Sequence, residues 1–261
     1  MSNVESKVFF DNLEIVASAP AGIDRLRELI LDLAVHGKLV TQIESDGSAL
    51  DVVKRIEAER QLKFRESNWK SADLPSNWVT VCLGDVCHLE MGQSPDSDSY
   101  NQSGKGLPFY QGKTDFGKFS PSPRYWCSRP TKKALDGDVL LSVRAPVGPT
   151  NFVTEESCIG RGLAALRPLG GMSTKFILWW LRAYEKKIAL MGTGTTFIAV
   201  SKKNLHPFLI SLPPLAEQER IVTKIDELMT LCDQLEGELI HQRTLEGAIA
   251  RSLTALLLKD E

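Results

Sequence analysis

The sequence predicts an α+β protein: one mixed α/β domain plus long coiled-coil-like helices from both termini. Three observations lead to this class. Apolar residues at helical spacing mark the N-terminal part, short apolar runs separated by glycine and proline fill the middle, and heptads mark the C-terminal part. With 43% hydrophobic and 25% charged residues, the 261-residue chain has an ordinary globular composition. We predict three regions, residues 1–68, 69–213 and 214–261.

The N-terminal region is predicted to be helical from residue 20 to residue 66. Ile23, Leu26, Ile30 and Leu33 recur at steps of three and four, which places them on one helical face, and Gly37 is a plausible stop. A second helix is predicted from an N-cap at Ser48 to Arg65. Its inward residues are predicted to be Leu50, Val53 and Ile56 or Val52.

The middle region, 69–213, has the pattern of short strands. Its apolar runs at 78–87, 138–148 and 163–169 have the length of strands and are separated by turn signals such as Asp136-Gly137-Asp138. One helix is predicted to interrupt them, from a cap at Ser173 to a stop at Gly192. Its apolar face consists of Ile177, Leu181, Tyr184 and Ile188.

The C-terminal region, 214–261, is predicted to be one long helix. Pro214 suits the first helical turn, and Glu217 and Glu219 suit the positive end of the helix dipole. An apolar seam then alternates steps of four and three, interrupted by Gln242 and Glu246. The seam residues are Ile221, Ile225, Leu228, Cys232, Leu235, Leu239, Ile249, Leu253 and Leu256. Such a seam needs the N-terminal helices, a second copy of the chain, or both.

Charge is distributed unevenly along the chain. From Trp69 to Pro213 there are 17 Lys and Arg against 11 Asp and Glu residues, a net charge of +6, and the remainder of the chain carries −8. The whole chain, at −2, is therefore no general polyanion binder. A net-basic middle region is typical of a surface that faces a polyanion, although a chance spread of solvated charges gives the same totals.

Motifs for catalysis are weak throughout the sequence. The segment Gly192–Thr196 is rich in glycine but lacks the lysine of a phosphate-binding loop, and Pro95-Asp96 has no nearby Glu-x-Lys of a nuclease. Cys82, Cys87 and His88 lack a second pair of metal ligands at matching spacing. We therefore predict no catalytic residue, no metal site and no cofactor bound by this chain.

Polar and basic side chains between the predicted strands are candidates for contacts with double-stranded DNA. Lys and Arg suit phosphates and guanine edges, Gln suits adenine, and aromatic rings stack. For Arg144, which follows an apolar strand, a structural ion pair is the competing interpretation. The candidates are Lys105, Tyr110, Gln111, Lys113, Thr114, Arg124, Arg129, Arg144, Arg161, Thr195, Thr196, Lys202 and Lys203.

The cellular location is predicted to be the cytoplasm. The sequence contains no run of 18 apolar residues that would suggest a membrane span. Acidic residues within the apolar N-terminal stretch make it a poor signal peptide. Five cysteines at irregular spacing argue against a disulfide framework and for a reducing compartment.

Residues 209–236, LISLPPLAEQERIVTKIDELMTLCDQLE, resemble a characteristic segment of the specificity subunits of type I restriction–modification enzymes. In that family a similar stretch leads from a target recognition domain into a long spacer helix. Shorter stretches resemble further landmarks of the family: Trp78, Leu83–Asp85, Gly92–Pro95, Gly137–Leu140, Arg144–Gly148 and Leu26–Val40.

The resemblance implies a non-catalytic subunit that reads DNA for others. Methyltransferase (M) subunits using S-adenosylmethionine and an ATP-driven, Mg²⁺-dependent restriction (R) subunit would do the chemistry. Typical members have two recognition domains and two spacer helices, and this chain has one of each. We therefore expect a half-sized specificity subunit that forms a homodimer through its helices and reads a bipartite, inversely symmetric site.

Two other classes of function stay open at this point. An autonomous DNA-modifying or DNA-cleaving enzyme would turn over DNA without other subunits. A scaffold that has kept the helices but lost DNA recognition would show no salt-dependent DNA binding.

Overall fold

The computed structural model describes residues 19, 21–61, 73–192 and 199–257, with the backbone alone for 253–257. It divides into two compact units. One contains the described residues up to 32 together with those from 223 onward, and the other contains the described residues from 33 to 222. The predicted regions 1–68, 69–213 and 214–261 follow sequence composition, and their boundaries stay a prediction.

Seven α-helices occur among the described residues. In chain order they are α1 (Gly22–Val35), α2 (Ala49–Arg60), α3 (Leu83–Val86), α4 (Thr174–Ala183), α5 (Glu185–Leu190), α6 (Lys202–Leu205) and α7 (Leu215–Leu257). Short 3-10 helices cover Glu44–Asp46, Ser97–Ser99 and Lys113–Asp115.

Eleven strands in the described part of the chain form three sheets. They are β1 (Val79–Cys82), β2 (Cys87–Met91), β3 (Tyr100–Asn101), β4 (Leu107–Tyr110), β5 (Tyr125–Cys127), β6 (Lys133–Ala134), β7 (Val139–Ser142), β8 (Thr150–Phe152), β9 (Ser157–Ile159), β10 (Leu163–Pro168) and β11 (Leu209–Leu212). The sheet orders are β1-β11, β2-β10-β7-β8 and β3-β5-β4-β9-β6. Neighbouring strands are antiparallel except for β4 and β9, which are parallel. This combination of helices and sheets confirms the predicted α+β class.

The core of the second unit is built around β7 and β10. All four residues of β7 are buried, as are the first four of β10, because both strands lie inside their sheet. Helix α4 packs on β7, β8 and β10. It contributes buried side chains that include Phe176, Ile177 and Trp180. Continuous apolar runs such as VLLS therefore belong to strands covered on both faces.

The first predicted helix is confirmed. α1 buries Ile23 and Leu26, and Ile30 is half-buried. The backbone N–H of Lys38 bonds to the carbonyl oxygen of Leu33 beyond the helix end. Gly37 has a φ of +67°, which only glycine adopts without strain.

The second predicted helix is correct at its start and differs at its end. The Ser48 side chain accepts a hydrogen bond from the N–H of Leu50, as expected of an N-cap. The helix ends at Arg60, not Arg65, because Gln61 is left-handed with a φ of 53°. The inward prediction for Leu50 is wrong, since 51% of its surface is exposed. The buried residues of α2 are Ala49, Val52, Val53 and Ile56.

Two further segments differ from their predicted form. The apolar run 78–87 contains β1, the single turn α3 and the start of β2. The N–H groups of Leu83 and Gly84 at the start of α3 bond to the carbonyl oxygens of Phe208 and His206. The helix predicted over 173–192 is two helices, α4 and α5, separated at Tyr184, whose φ of −102° and ψ of 12° leave the helical region.

The long C-terminal helix is observed as predicted. α7 runs without a break over 43 residues, from Leu215 to Leu257. At a rise of 1.5 Å per residue, its length is about 65 Å. Within the described ranges no helix has the length and apolar content that a bilayer span requires.

Candidate nucleic-acid interface

Three loops that are far apart in the sequence meet at one end of the sheets. They follow β2, β4 and β9, and backbone hydrogen bonds join them. The N–H of Gln93 bonds to the oxygen of Ile159 at 3.1 Å, and the N–H of Gly160 bonds to the oxygen of Tyr110 at 2.8 Å. Because β4 and β9 are parallel, their carboxyl ends lie at the same edge. We call the loops 92–94, 111–114 and 160–162 the loop cluster.

Glycine allows the backbones of the loop cluster to approach each other closely. A Cβ atom at Gly162 would collide with the carbonyl oxygen of Gln111, and one at Gly92 would collide with that of Gly160. No other residue fits either position without moving the neighbouring loop. The sequence landmark Gly92–Pro95 therefore has a packing reason.

Arg161 is an exposed cation of the loop cluster. Its Nε donates to the hydroxyl oxygen of Ser94 at 3.1 Å. The hydrogen bond joins Arg161, a predicted DNA contact on one loop, to Ser94 on another loop. Because Ser94 and Arg161 are 67 residues apart, the sequence alone could not predict that they are neighbours.

The loop 111–114 is held by a buried carboxylate. Asp115, whose side chain is 2% exposed, accepts from the N–H of Gln111 at 2.7 Å through Oδ2. Its Oδ1 accepts from Nε of Arg124 at 2.8 Å, and Nη2 of Arg124 donates to Oγ1 of Thr114 at 2.9 Å. Gln111, Lys113 and Thr114 are exposed around this carboxylate.

Arg144 lies beside the loop cluster. The N–H of Val143 bonds to the oxygen of Gly162 at 2.9 Å, and Arg144 itself forms a bridge with Ala199. Its side chain is exposed and has no ion-pair partner among the described residues, which disfavours the structural interpretation. The exposed Lys202 and Lys203 begin α6, three and four residues after Ala199. Thr195 and Thr196 lie outside the described residues.

Two predicted contacts lie at the opposite end of the β4–β5 pair. Leu107 pairs with Cys127, and the exposed Lys105 and Arg129 each lie two residues beyond this pair. Arg129 forms an ion pair with Asp98 at 2.6 Å. The candidates therefore form two groups, separated by a strand that spans roughly 13 Å.

The prediction that Tyr110 contacts DNA is wrong. Its side chain is 2% exposed and belongs to the core cluster that contains Leu140, Ile159 and Leu163. Burial raises the pKa of its hydroxyl to about 12. Three of the four residues of β4 are buried, so the alternation that would have revealed an outward face is absent.

Two polar side chains at the start of α7 are fully buried. Glu217 accepts from Nε1 of Trp78 at 3.0 Å and from Nε2 of Gln42 at 2.6 Å. Burial raises the pKa of the Glu217 carboxyl, and the two donors oppose that rise. Sequence reasoning assigned Glu217 to the helix dipole and missed this buried pairing with the aromatic landmark Trp78.

Gln218 joins the same helix start to α4. Its Oε1 accepts from the N–H of Ser173 at 3.1 Å, and its Nε2 donates to the oxygen of Pro213 at 3.0 Å. The N–H of Ser173 at the cap of α4 thus finds its acceptor on a distant element, and the Ser173 side chain makes no capping bond. The Pro-Pro-Leu-x-Glu-Gln stretch is therefore a structural junction of the second unit.

The first unit pairs the predicted seam with α1. In this unit Ile225 and Cys232 are buried, and Leu228, Leu235 and Leu239 are half-buried. The first seam residue, Ile221, is buried in the second unit. The pairing cluster contains Ile23, Leu26 and Cys232, with Ile30, Leu235 and Leu239 packed against it. Arg27 adds ion pairs to Asp233 at 2.8 Å and to Glu236 at 2.6 Å.

The later part of α7 exposes apolar side chains. Ile240, Leu245 and Ile249 are 59%, 50% and 60% exposed. The predicted seam residue Ile249 thus has no covering partner within the described chain, and the side chains of Leu253 and Leu256 lie outside the description. Leu245 and Ile249 are four residues apart and lie on one side of the helix, and we call them the open face of α7. Ile240 lies on the other side of the helix, nine residues before Ile249.

Among the described residues no group of three or more His, Cys, Asp and Glu side chains is arranged to hold a metal ion. The five cysteines are all free thiols, four of them buried. Burial raises the pKa of Cys158 to about 12, which keeps this thiol protonated at neutral pH.

Comparison with known proteins gives consistent matches. Residues 75–242 match the family model described as the type I restriction modification DNA specificity domain. The chain is 37% identical to the type I restriction enzyme specificity subunit named MjaX in Methanocaldococcus jannaschii, over 74% of this chain and 46% of that protein. It is 27% identical to the EcoEI specificity subunit of Escherichia coli, over 88% of this chain and 44% of that one.

Solved structures agree with these relatives. The HsdS subunit from Thermoanaerobacter tengcongensis has a TM-score of 0.60 and 36% identity, over 94% of this chain and 56% of that one. A chain from a study of complex assembly and conformational transition of the type I R-M system has a TM-score of 0.61 and 40% identity, over 88% and 56%. The chain spans about half the length of the curated relatives it matches.

Proposed function

The chain belongs to the family of type I restriction–modification DNA specificity domains, and on that premise we propose that it is the DNA-reading subunit of such an enzyme. The loop cluster, with Arg144 beside it, contacts double-stranded DNA. Its cations bind phosphates, and Gln111, Lys113 or Arg144 contact base edges in a groove. One observation carries the proposal: loops from three distant sequence segments bring exposed cationic and amide side chains to one edge.

The chain supplies recognition, and partner subunits supply the chemistry. We propose that M subunits bind S-adenosylmethionine and that an R subunit uses ATP and Mg²⁺, so that this chain is a non-catalytic component. The weak catalytic motifs in the sequence support this division of labour.

Two copies form the working assembly in this proposal. The match with the MjaX subunit covers 46% of that protein, which leaves room there for a second unit of similar size. The open face of α7 exposes two large aliphatic side chains, Leu245 and Ile249, that a second helix would cover. Two identical units related by a two-fold axis would read a bipartite, inversely symmetric DNA site.

Mapping of methylated sites in the source cell, with and without this gene, tests the proposal. We expect one bipartite motif whose methylation disappears on deletion and returns with a plasmid copy. Unchanged methylation would overturn the proposal. DNA turnover by the purified chain alone, with Mg²⁺ and S-adenosylmethionine, would indicate an autonomous enzyme instead.

A further inference from the structure

We propose that Asp115 and Arg124 are positioning residues that hold the recognition loop 111–114 in its DNA-reading form, and that Arg124 is not a phosphate contact. The inference rests on the proposed function, because it concerns how that interface is built. It revises the prediction that Arg124 binds DNA directly.

Asp115 is buried, and its carboxylate holds the backbone of the loop. A carboxylate that is 2% exposed must have its oxygens satisfied, and among the described residues its donors belong to the loop and to Arg124. The N–H groups of Gln111 and Gly112 bond to Oδ2 at 2.7 Å and 3.4 Å. Two consecutive amides of the loop are therefore fixed by one side chain that itself has no access to DNA.

Arg124 bonds to both Asp115 and Thr114. Its Nε lies 2.8 Å from Oδ1 of Asp115, and its Nη2 lies 2.7 Å from the same oxygen and 2.9 Å from Oγ1 of Thr114. The guanidinium thus joins the 3-10 helix Lys113–Asp115 to the segment that enters β5. A planar fork makes these contacts together, whereas a lysine ammonium has one nitrogen and cannot reproduce them.

The backbone that follows the loop also bonds back to Asp115. The N–H of Ser122 bonds to the oxygen of Asp115 at 2.8 Å, so both arms of the 115–122 excursion converge on this residue. Gln111 in turn touches Gly162 in the loop cluster. A change at Asp115 or Arg124 is therefore transmitted to the exposed side chains of Gln111, Lys113 and Thr114.

Conservative variants separate positioning from phosphate contact. A phosphate contact needs charge, so Arg124→Lys would keep binding, and Arg124→Ala would reduce the slope of log K against log salt by about one. A positioning residue gives the opposite pattern. Both variants would lower the preference for the mapped site by about tenfold or more, which is what loss of one base contact produces, and the salt slope would stay unchanged.

The experiment uses the chain assembled with its methyltransferase subunits. Binding to the mapped duplex and to a scrambled duplex is measured over a salt series for wild type, Arg124→Lys, Arg124→Ala and Asp115→Asn. Arg55→Lys is the matched control, because Arg55 is an exposed arginine on α2 outside the loop cluster. We expect Arg55→Lys to behave as wild type.

Hydrogen exchange on the same complexes without DNA keeps the inference testable if a variant is less stable. We expect faster exchange at Gln111 and Gly112 in all three variants at Asp115 and Arg124, with β9 exchanging as in wild type. Normal site preference in Arg124→Lys, or unchanged exchange at the loop, would overturn the inference. A wild-type complex that does not distinguish the two duplexes would instead overturn the proposed function.

Discussion

The indole Nε1 of Trp78 donates a hydrogen bond to Oε2 of Glu217 at 3.0 Å, joining residues 139 positions apart. Trp78 immediately precedes β1, and Glu217 lies in the first turn of α7. Both side chains are buried, so the bond fixes the start of the long helix within the second unit.

Replacement of Trp78 by Phe should lower the free energy of unfolding by about 1–3 kcal/mol. The change leaves Oε2 of Glu217 buried without its indole donor, which is more costly than losing an exposed bond. Urea unfolding measures the effect. In a Glu217→Gln background the same replacement should have a smaller effect, and an equal loss in both backgrounds would show that the bond does not contribute.

Stability should depend on pH through Glu217. Burial raises its pKa above the ordinary 4.5, so the native state holds this proton more tightly than the unfolded chain does. Stability from this group is therefore present at low pH and is lost as pH rises from about 4.5 through the raised value. Urea unfolding from about pH 4.5 to about pH 8 should show the wild type losing stability relative to Glu217→Gln. Glu219→Gln, on the same turn, should leave the wild-type profile unchanged.

Two substitutions on α7 should separate folding from self-association. Leu235→Asp places a charge against Ile23 and Leu26 and should destabilise the first unit by about 2 kcal/mol or more. Ile249→Asp changes an exposed residue and should leave the unfolding free energy of the single chain unchanged, measured at a concentration where both proteins are monomeric, while shifting dimer to monomer at higher concentration. Thermal unfolding and light scattering measure the two effects. A dimer that persists in Ile249→Asp would exclude the open face of α7 as the contact surface.

Arg27 should stabilise the first unit in a salt-dependent manner. Its guanidinium bonds to Asp233 and Glu236, and these bonds raise its pKa against the opposing effect of burial. Because the network is partly exposed, Arg27→Gln should reduce the free energy of unfolding by about 1 kcal/mol at low salt and by less at about 1 M salt. Urea unfolding at both salt concentrations tests this, with the exposed Arg25→Gln as the control that should have little effect.

Glycine at position 162 should be essential for the loop cluster. Gly162→Ala directs a methyl group into the carbonyl oxygen of Gln111, so we expect a lower unfolding free energy and weaker site-specific DNA binding. Gly112→Ala meets no atom within 4 Å in an extended backbone and should preserve the unfolding free energy. Equal stability of the two variants would contradict the packing argument.

The parts of the fold that were predictable are those whose pattern depends on local geometry. The heptad spacing from Ile221 onward predicted α7, and the steps of three and four from Ile23 predicted α1, because one face of each helix is apolar. The exposed positions of Gln111, Lys113 and Arg161 agree with their polar character. Their proximity, however, depends on the parallel pairing of β4 with β9, which no local pattern indicates.

The failures share a physical cause, namely that tertiary contacts decided the role of the residue. Tyr110 has an amphipathic side chain that suits either core or surface, and the packing around Leu140 placed it inside. Glu217 suits a helix N-terminus, and Trp78 made it a buried acceptor. Leu50 was assigned inward by its apolar character, yet Ala49 and Val52 occupy the buried side of α2.

The carboxylate of Asp115 accepts hydrogen bonds from the backbone N–H groups of Gln111 and Gly112, and it makes no bond to the side chain at position 111. The amino acid at position 111 can therefore vary while the loop keeps its conformation. A combinatorial library at positions 111 and 113, with Asp115 and Arg124 left intact, is therefore a direct route to variants that recognise new DNA sequences on an unchanged scaffold.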